Sequence, residues 1–460
     1  MARPSPSPRR VLLALLAAVA LVTTTVLLRG SLAPPEPIRI GAVFPIAGNG
    51  ATLAGQELRG VRIAANLVNA DGGVGGRPIV LDVRDLEAAG DAPAVMASLR
   101  AEGVSVVIGA YSSDLSIAAS AAADQAGLVY WEAGAVADRL TGRGLPLVFR
   151  VGASGTNLGT NSAQFAASDL AARLGTTAAG LRLAIVAADD AYASSVAEAA
   201  ARTAAAAGVP IVARETYQLG VPQWPRVMAD LAAAHPDVVI LASHIPDGVA
   251  FRQAMLAAGL RVKALIGSTM AECDPDFAGD LGADAIGIFA SDRPTGGFRP
   301  DALGPEARAT YERLAAAWAA PEPSDASVAS PTPQDVPYGG YGGEYQISGP
   351  TPPATWNGPT EEGLSGFSAA WALFHDVLPA AALAGPLDPG SVAAAARAVD
   401  LPVGALPNGA GLRFSSDPAT LGQNDRAAAV IWQWQAVRSY TFVWPATYAT
   451  GTIAFVPLPR

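Results

Sequence analysis

The sequence predicts an α/β protein made of two units, each a parallel sheet flanked by helices, held outside a membrane. Three observations carry this. Strand-like and helix-like patterns alternate from residue 38 to residue 290. The first of them, Ile38 to Asp85, reads as strand, glycine-rich loop, helix, glycine turn and strand. An export-type segment stands directly before it. Strand–helix–strand repetition implies parallel sheets wrapped by helices.

The export segment comes first in the chain. Arg3, Arg9 and Arg10 precede the apolar run from Val11 to Leu28, broken only by Thr23, Thr24 and Thr25. Basic residues followed by an apolar stretch mark a signal peptide or a membrane anchor. The run is 18 residues, long for a signal and near the lower limit for a bilayer span. Ser31-Leu32-Ala33 has a small-residue cleavage pattern, but Pro34 after it hinders cleavage. No cysteine stands just after the run, which argues against a lipid anchor. Residues 1–36 are expected to be a signal peptide or membrane anchor plus linker, giving a membrane contact through this N-terminal segment. Basic residues stay on the cytoplasmic side, so the rest of the chain is expected outside.

Composition narrows the function. The 460 residues are too many for one ordinary domain and fit two. Net charge is −10, and four of the 30 basic residues lie in the leader. An acidic chain without a basic patch repels phosphate backbones, so no nucleic-acid partner is expected. Cys273 is the single cysteine, which rules out an intramolecular disulfide and a cysteine-cluster metal site. No cofactor and no metal are expected.

Short Val, Ile, Leu and Ala runs predict buried parallel strands. They fall at 38–44, 79–85, 104–108, 128–131, 183–187, 211–217, 238–242, 264–266 and 286–290. Alanine-rich amphipathic stretches between them predict helices at 60–69, 92–102, 116–125, 194–207, 224–234 and 248–258. VGASGT at 151–156 looks like a crossover between two units. Residues 321–360 are dense in Pro, Gly, Ser, Thr and Tyr and predict a long surface loop. Helix patterns resume at 363–378 and 389–398, and 427–436 and 441–444 look like antiparallel strands.

Several pieces together resemble the type I periplasmic solute-binding proteins, specifically the branched-chain amino-acid-binding family of ABC transporters. They are IRIGAVFPIAGNGA, GVRIAANLVNADGGVGGRPI, VSVVIGAYSSDLSIAAS, AGLVYWEAGAVADRLT and the turn from Asp189 to Ala193. GLRFSSD and AVIWQWQ fit too, and the order of all of them is the specific signal. The resemblance implies two lobes joined by three hinge crossings, with a ligand held between them. Lobe 1 would comprise 37–152 and 290–405, carrying the loop 321–360, and lobe 2 would comprise 153–289 and 406–460.

The resemblance also names candidate ligand-binding residues. Ser112 and Ser113 follow a strand and open a helix, where a hydroxyl and free N–H groups can meet a carboxylate. Ser113 matches the family's carboxylate-binding serine, and a plain helix cap is the other reading. Asp114 beside them would repel an anion. The loop Glu132, Gly134, Ala135 and Val136 departs from the family's pattern, with Val136 where a ligand-contacting threonine is usual. Glu132 either pairs with a ligand cation or caps the next turn. On lobe 2, Tyr192 matches a ligand-covering aromatic, and Ser243 and His244 end a strand. Thr269 falls near the family's ammonium-pairing glutamate, with Glu272 three residues on. Asn49 would line the first lobe's edge.

Enzyme signatures are missing. Gly48, Gly50 and Gly55 do not have dinucleotide-loop spacing, and no P-loop, H-E-x-x-H or G-x-S-x-G stretch occurs. The expected role is an extracytoplasmic substrate-binding protein of an ABC importer, with a permease and ATPase complex as partner. The alternative is an anchored ligand-sensing module of the same fold, working with a separate signalling protein.

Overall fold

The computed structural model describes residues 35–48, 50–268, 275–320, 358–437 and 439–459. The leader and nearly all of the loop 321–360 lie outside the described residues, as do Asn49, Thr269 and Glu272.

The first unit is built from β1 (Ile38–Phe44), α1 (Ala51–Ala70), β2 (Ile79–Asp85), α2 (Ala92–Ala101), β3 (Val106–Gly109), α3 (Ser113–Gln125), β4 (Val129–Glu132) and β5 (Val148–Arg150). Its sheet runs β2-β1-β3-β4-β5 and is parallel throughout. The second unit follows with α4 (Gly155–Phe165), β6 (Leu183–Ala188), α5 (Ala191–Ala206), β7 (Ile211–Tyr217), α6 (Trp224–Ala234) and β8 (Val238–Ala242). It continues with α7 (Ile245–Ala257), β9 (Ala264–Ser268), α8 (Pro275–Leu281) and β10 (Phe289–Asp292). The helices α9 (Pro305–Ala319), α10 (Glu361–Trp371), α11 (Leu378–Ala384) and α12 (Pro389–Ala398) come next, then β11 (Val430–Ala436) and β12 (Ser439–Trp444).

The second sheet runs β12-β11-β10-β9-β8-β6-β7. It is mixed, because β11 pairs antiparallel with both β10 and β12. The expectation of a parallel sheet in each lobe therefore holds fully for the first only. Every residue of β6 and β8 is buried. That is why these strands read as unbroken apolar runs in the sequence.

Helix α10 returns to the first unit and packs on α1. Glycines let the two backbones approach closely. A Cβ on Gly60 would stand 2.1 Å from the Gly363 carbonyl oxygen, and one on Gly366 would stand 2.2 Å from the Glu57 carbonyl oxygen. Helix α1 starts at Ala51, nine residues before the predicted start. Its first half buries Leu53, Ala54, Glu57 and Leu58, and the carboxylate at a core position disguised the apolar face. The helical run Glu361–Ala384 is long and apolar enough to cross a membrane, but most of it is buried inside the protein.

The chain passes between the sheets after β5, after β10 and before β11. The last crossing falls later than expected. Phe414 packs its ring 5.3 Å from Trp131 and 5.0 Å from Phe149, and Asn424 N donates to Arg150 O at 3.0 Å. Residues 406–426 thus stay with the first sheet, and the chain joins the second at Val430. Strand β5 was not anticipated, because three residues are too few to show a period.

Candidate functional site

The parallel strands of both sheets point their carboxyl ends at one cleft, and three helices begin there. Helix α3 is capped by Ser112, whose Oγ accepts from Leu115 N at 3.4 Å. Tyr111 just before it has φ +74°, a left-handed turn that leads β3 into the helix. Ser113 Oγ accepts from Ala137 N at 3.1 Å, tying α3 to the loop after β4.

The opposite wall belongs to the second unit. Asp190 caps α5, its Oδ1 accepting from Ala193 N at 2.8 Å. Its Oδ2 lies 2.6 Å from His244 Nε2, and His244 is the residue at the start of α7. Tyr192 sets its ring edge-on to His244 at 5.3 Å. Its hydroxyl donates to the Ser243 carbonyl at 3.0 Å and also to the Ser268 carbonyl. The ring, not the hydroxyl, is therefore offered to the cleft.

Between these walls lies a cavity of roughly 530 Å³. Ser112, Ser113, Asp114 and Leu115 line it from the first unit. Asp190, Tyr192, Leu219 and His244 line it from the second. The volume is in the range of small-ligand sites. After accepting from Leu115, the Ser112 hydroxyl still has a proton to donate inward. Withdrawal from water between the lobes, together with the Asp190 charge, lifts the Asp114 carboxyl above its ordinary range. Burial pushes Asp190 the same way, but its bond to His244, that ring's charge and backbone N–H donors hold it below its ordinary value.

Of the sequence candidates, the structure brings Ser112, Ser113, Tyr192 and His244 together on this cavity. It places the other candidates among the described residues elsewhere. Glu132 is fully buried, with Oε1 accepting from Gly134 N at 2.9 Å and Ala135 N at 2.8 Å. It caps the turn after β4, and burial lifts its carboxyl to about 7. Gly134, Ala135 and Val136 are buried behind the cavity wall. Their carbonyls serve the scaffold: Gly134 O takes Arg293, and Val136 O takes Gly155 N at 2.6 Å. Ser243 is buried against the Tyr217 hydroxyl. Asp190 and Leu219 were missed as lining residues. An Asp at the head of a helix pattern is a cap signal, which marked Asp190's position but not its direction. Among the described residues, no group of three or more His, Cys, Asp or Glu is placed to hold a metal ion.

Two α/β lobes with a polar cavity between their strand ends define a two-lobed solute-binding protein. The chain belongs to the periplasmic binding protein family, whose profile matches residues 37–330. The Leu/Ile/Val-binding protein homolog 8 of Brucella abortus (strain 2308) is 28% identical over 424 residues, covering 91% of this chain and 93% of the relative. An ABC transporter substrate-binding protein from Desulfitobacterium hafniense, solved in complex with Leu, superposes with a TM-score of 0.65 at 22% identity, covering 89% of this chain and 100% of the other. A solute-binding protein from R. palustris, solved in complex with benzoate, gives 0.65 at 18% identity, covering 92% and 99%. These relatives are solute-binding proteins, not enzymes, and the family works outside the cytoplasm.

Proposed function

We propose that this chain is the extracytoplasmic substrate-binding subunit of an ABC importer. It captures an amino acid or a related small polar solute in the interlobe cleft, closes over it by hinge motion, and presents it to a permease and ATPase complex. The observation that carries this reading is the cavity lined from both lobes, with helices α3, α5 and α7 all starting at its walls. Helix starts supply unpaired N–H groups, Ser112 supplies a hydroxyl and the Tyr192 ring supplies an apolar face. A solute that touches both walls favours the closed arrangement, because only there does it make all of its contacts.

The test is a thermal-shift and calorimetric screen of the full chain against amino acids, amides, short peptides and aromatic acids. A true ligand at about 100 times its Kd stabilises the protein by about 2.7 kcal/mol. A panel in which every member leaves the melting temperature unchanged contradicts the reading.

A further inference from the structure

We propose that the cleft selects a small organic cation, a solute carrying at least one more ammonium or guanidinium group than it has carboxylates. The inference rests on the binding-protein reading above and names its substrate class.

The charge of the cavity wall carries the argument. Among the described residues, its charged side chains are Glu87, Asp114, Asp190 and the ionisable His244, and neither lysine nor arginine lines it. Asp190 is already engaged, by the cap of α5 and by His244. Glu87 and Asp114 are exposed to the cleft, and no hydrogen bond or ion pair engages either carboxylate among the described residues.

The groups facing Asp114 are Asp190 at the start of α5, His244 at the start of α7 and Arg139 in the turn at Asp138–Leu140. The pairing of Asp114 with Asp190 matters most, because one stands on each lobe. Drawing the lobes together brings two carboxylates toward each other; burial first, and the Asp190 charge after it, already lift the Asp114 carboxyl, against His244 and Arg139. A cation between them turns the repulsive pair into two attractive ones. Closure then gains free energy only when the ligand brings positive charge, which is what a ligand-gated hinge requires.

The first turn of α3 points to the same class. A helix start favours one negative charge, and Asp114 already supplies it. A ligand carboxylate meeting Ser112 there adds a second. A zwitterion can offset that only with a surplus cation elsewhere, and a dicarboxylate cannot offset it.

The experiment is calorimetric titration of the full chain with agmatine, L-arginine, L-leucine and L-glutamate at neutral pH, for the wild type, Asp114→Asn and Glu87→Gln. Both replaced side chains are exposed and structurally unengaged, so the variants are expected to fold, and their circular dichroism is the control. The expected result is that agmatine or arginine binds at least about tenfold more tightly than leucine, and that Asp114→Asn weakens the cation by about tenfold or more while leucine does not weaken. Glu87→Gln moves the cation in the same direction by less, and added salt weakens it further. If leucine or glutamate binds as tightly as the cations and Asp114→Asn leaves the order unchanged, the charge inference fails and the binding-protein reading stands. If none of the four binds, the charge inference fails, and only a silent result in the wider thermal-shift panel overturns the binding-protein reading as well.

Discussion

His244 Nε2 stands 2.6 Å from Asp190 Oδ2, so one hydrogen bond joins the residues that open two neighbouring helices of the second lobe. The bond fixes the direction of both helix starts at the cleft.

Replacing Asp190 tests that junction. Asp190→Ala removes the α5 cap and the partner of His244, at an expected cost of about 1–2 kcal/mol. Asp190→Asn keeps the cap and loses less. Urea unfolding of the two variants reads the difference. The Asp190 carboxyl is held below its ordinary value, so its stabilisation is present above the ordinary carboxylate range and is lost as pH falls through the folded value.

Arg293 is the keystone of a buried acidic cluster. Its guanidinium pairs with Glu361, Nη2 to Oε2 at 2.8 Å, and also donates to Gly134 O. Glu57 and Glu362 face the same charge and are buried beside it. Arg293→Met leaves the Glu361 carboxylate buried without a counterion and is expected to cost about 3–5 kcal/mol. Adding Glu361→Leu recovers much of that loss, and a double-mutant cycle in urea measures the coupling.

Burial lifts the Glu361 carboxyl itself to about 8 despite its pairing with Arg293, and the acids around it are raised as well. Burial and the neighbouring Glu361 charge lift Glu362 to about 8, and burial lifts Glu132 to about 7. Burial and the Glu132 charge raise Glu57 well above its ordinary value. For an acid raised in the folded state, the folded protein holds the proton after the unfolded chain has lost it. That stabilisation is complete below the unfolded value and declines as pH rises through the folded one. The melting temperature is therefore expected to fall between about pH 5 and about pH 9, and Glu362→Gln to flatten the slope. A scan in which wild type and variant run parallel contradicts this assignment.

The α1–α10 contact is equally exposed to test. A Cβ on Gly366 would stand 2.2 Å from the Glu57 carbonyl oxygen, a backbone atom that no rotamer change can move. Gly366→Ala is expected to destabilise by about 1–3 kcal/mol or more. Gly55→Ala, on α1 where the added methyl meets open space, is the control and should be neutral or mildly stabilising.

The strands were legible because buried parallel strands leave unbroken Val, Ile and Ala runs, as in β6 and β8. Ser112, Ser113, Tyr192 and His244 were legible because each stands at a strand end or a helix start, where the chain must turn into the cleft. What stayed hidden has a common cause. A carboxylate on an amphipathic helix reads as a solvated face, yet Glu57, Glu361 and Glu362 are buried around Arg293. Their partners are far away in sequence. Glu132 had two readings that need the same side chain, and only the direction of the Gly134 and Ala135 N–H groups decides for the cap. Trp131, adjacent to a predicted site loop, is fully buried against Phe149 and Phe414 and donates to Ala369 O.

The central claim is that a solute sits between the two lobes and touches both. Leu115 reaches the cavity from the first lobe and Leu219 from the second. Leu115→Trp and Leu219→Trp each fill it from one side. Calorimetric titration of both variants with a solute that binds the wild type is the most direct measurement. Loss of the binding heat in both variants is the result expected, and full-strength binding in either one contradicts a site shared by the two walls.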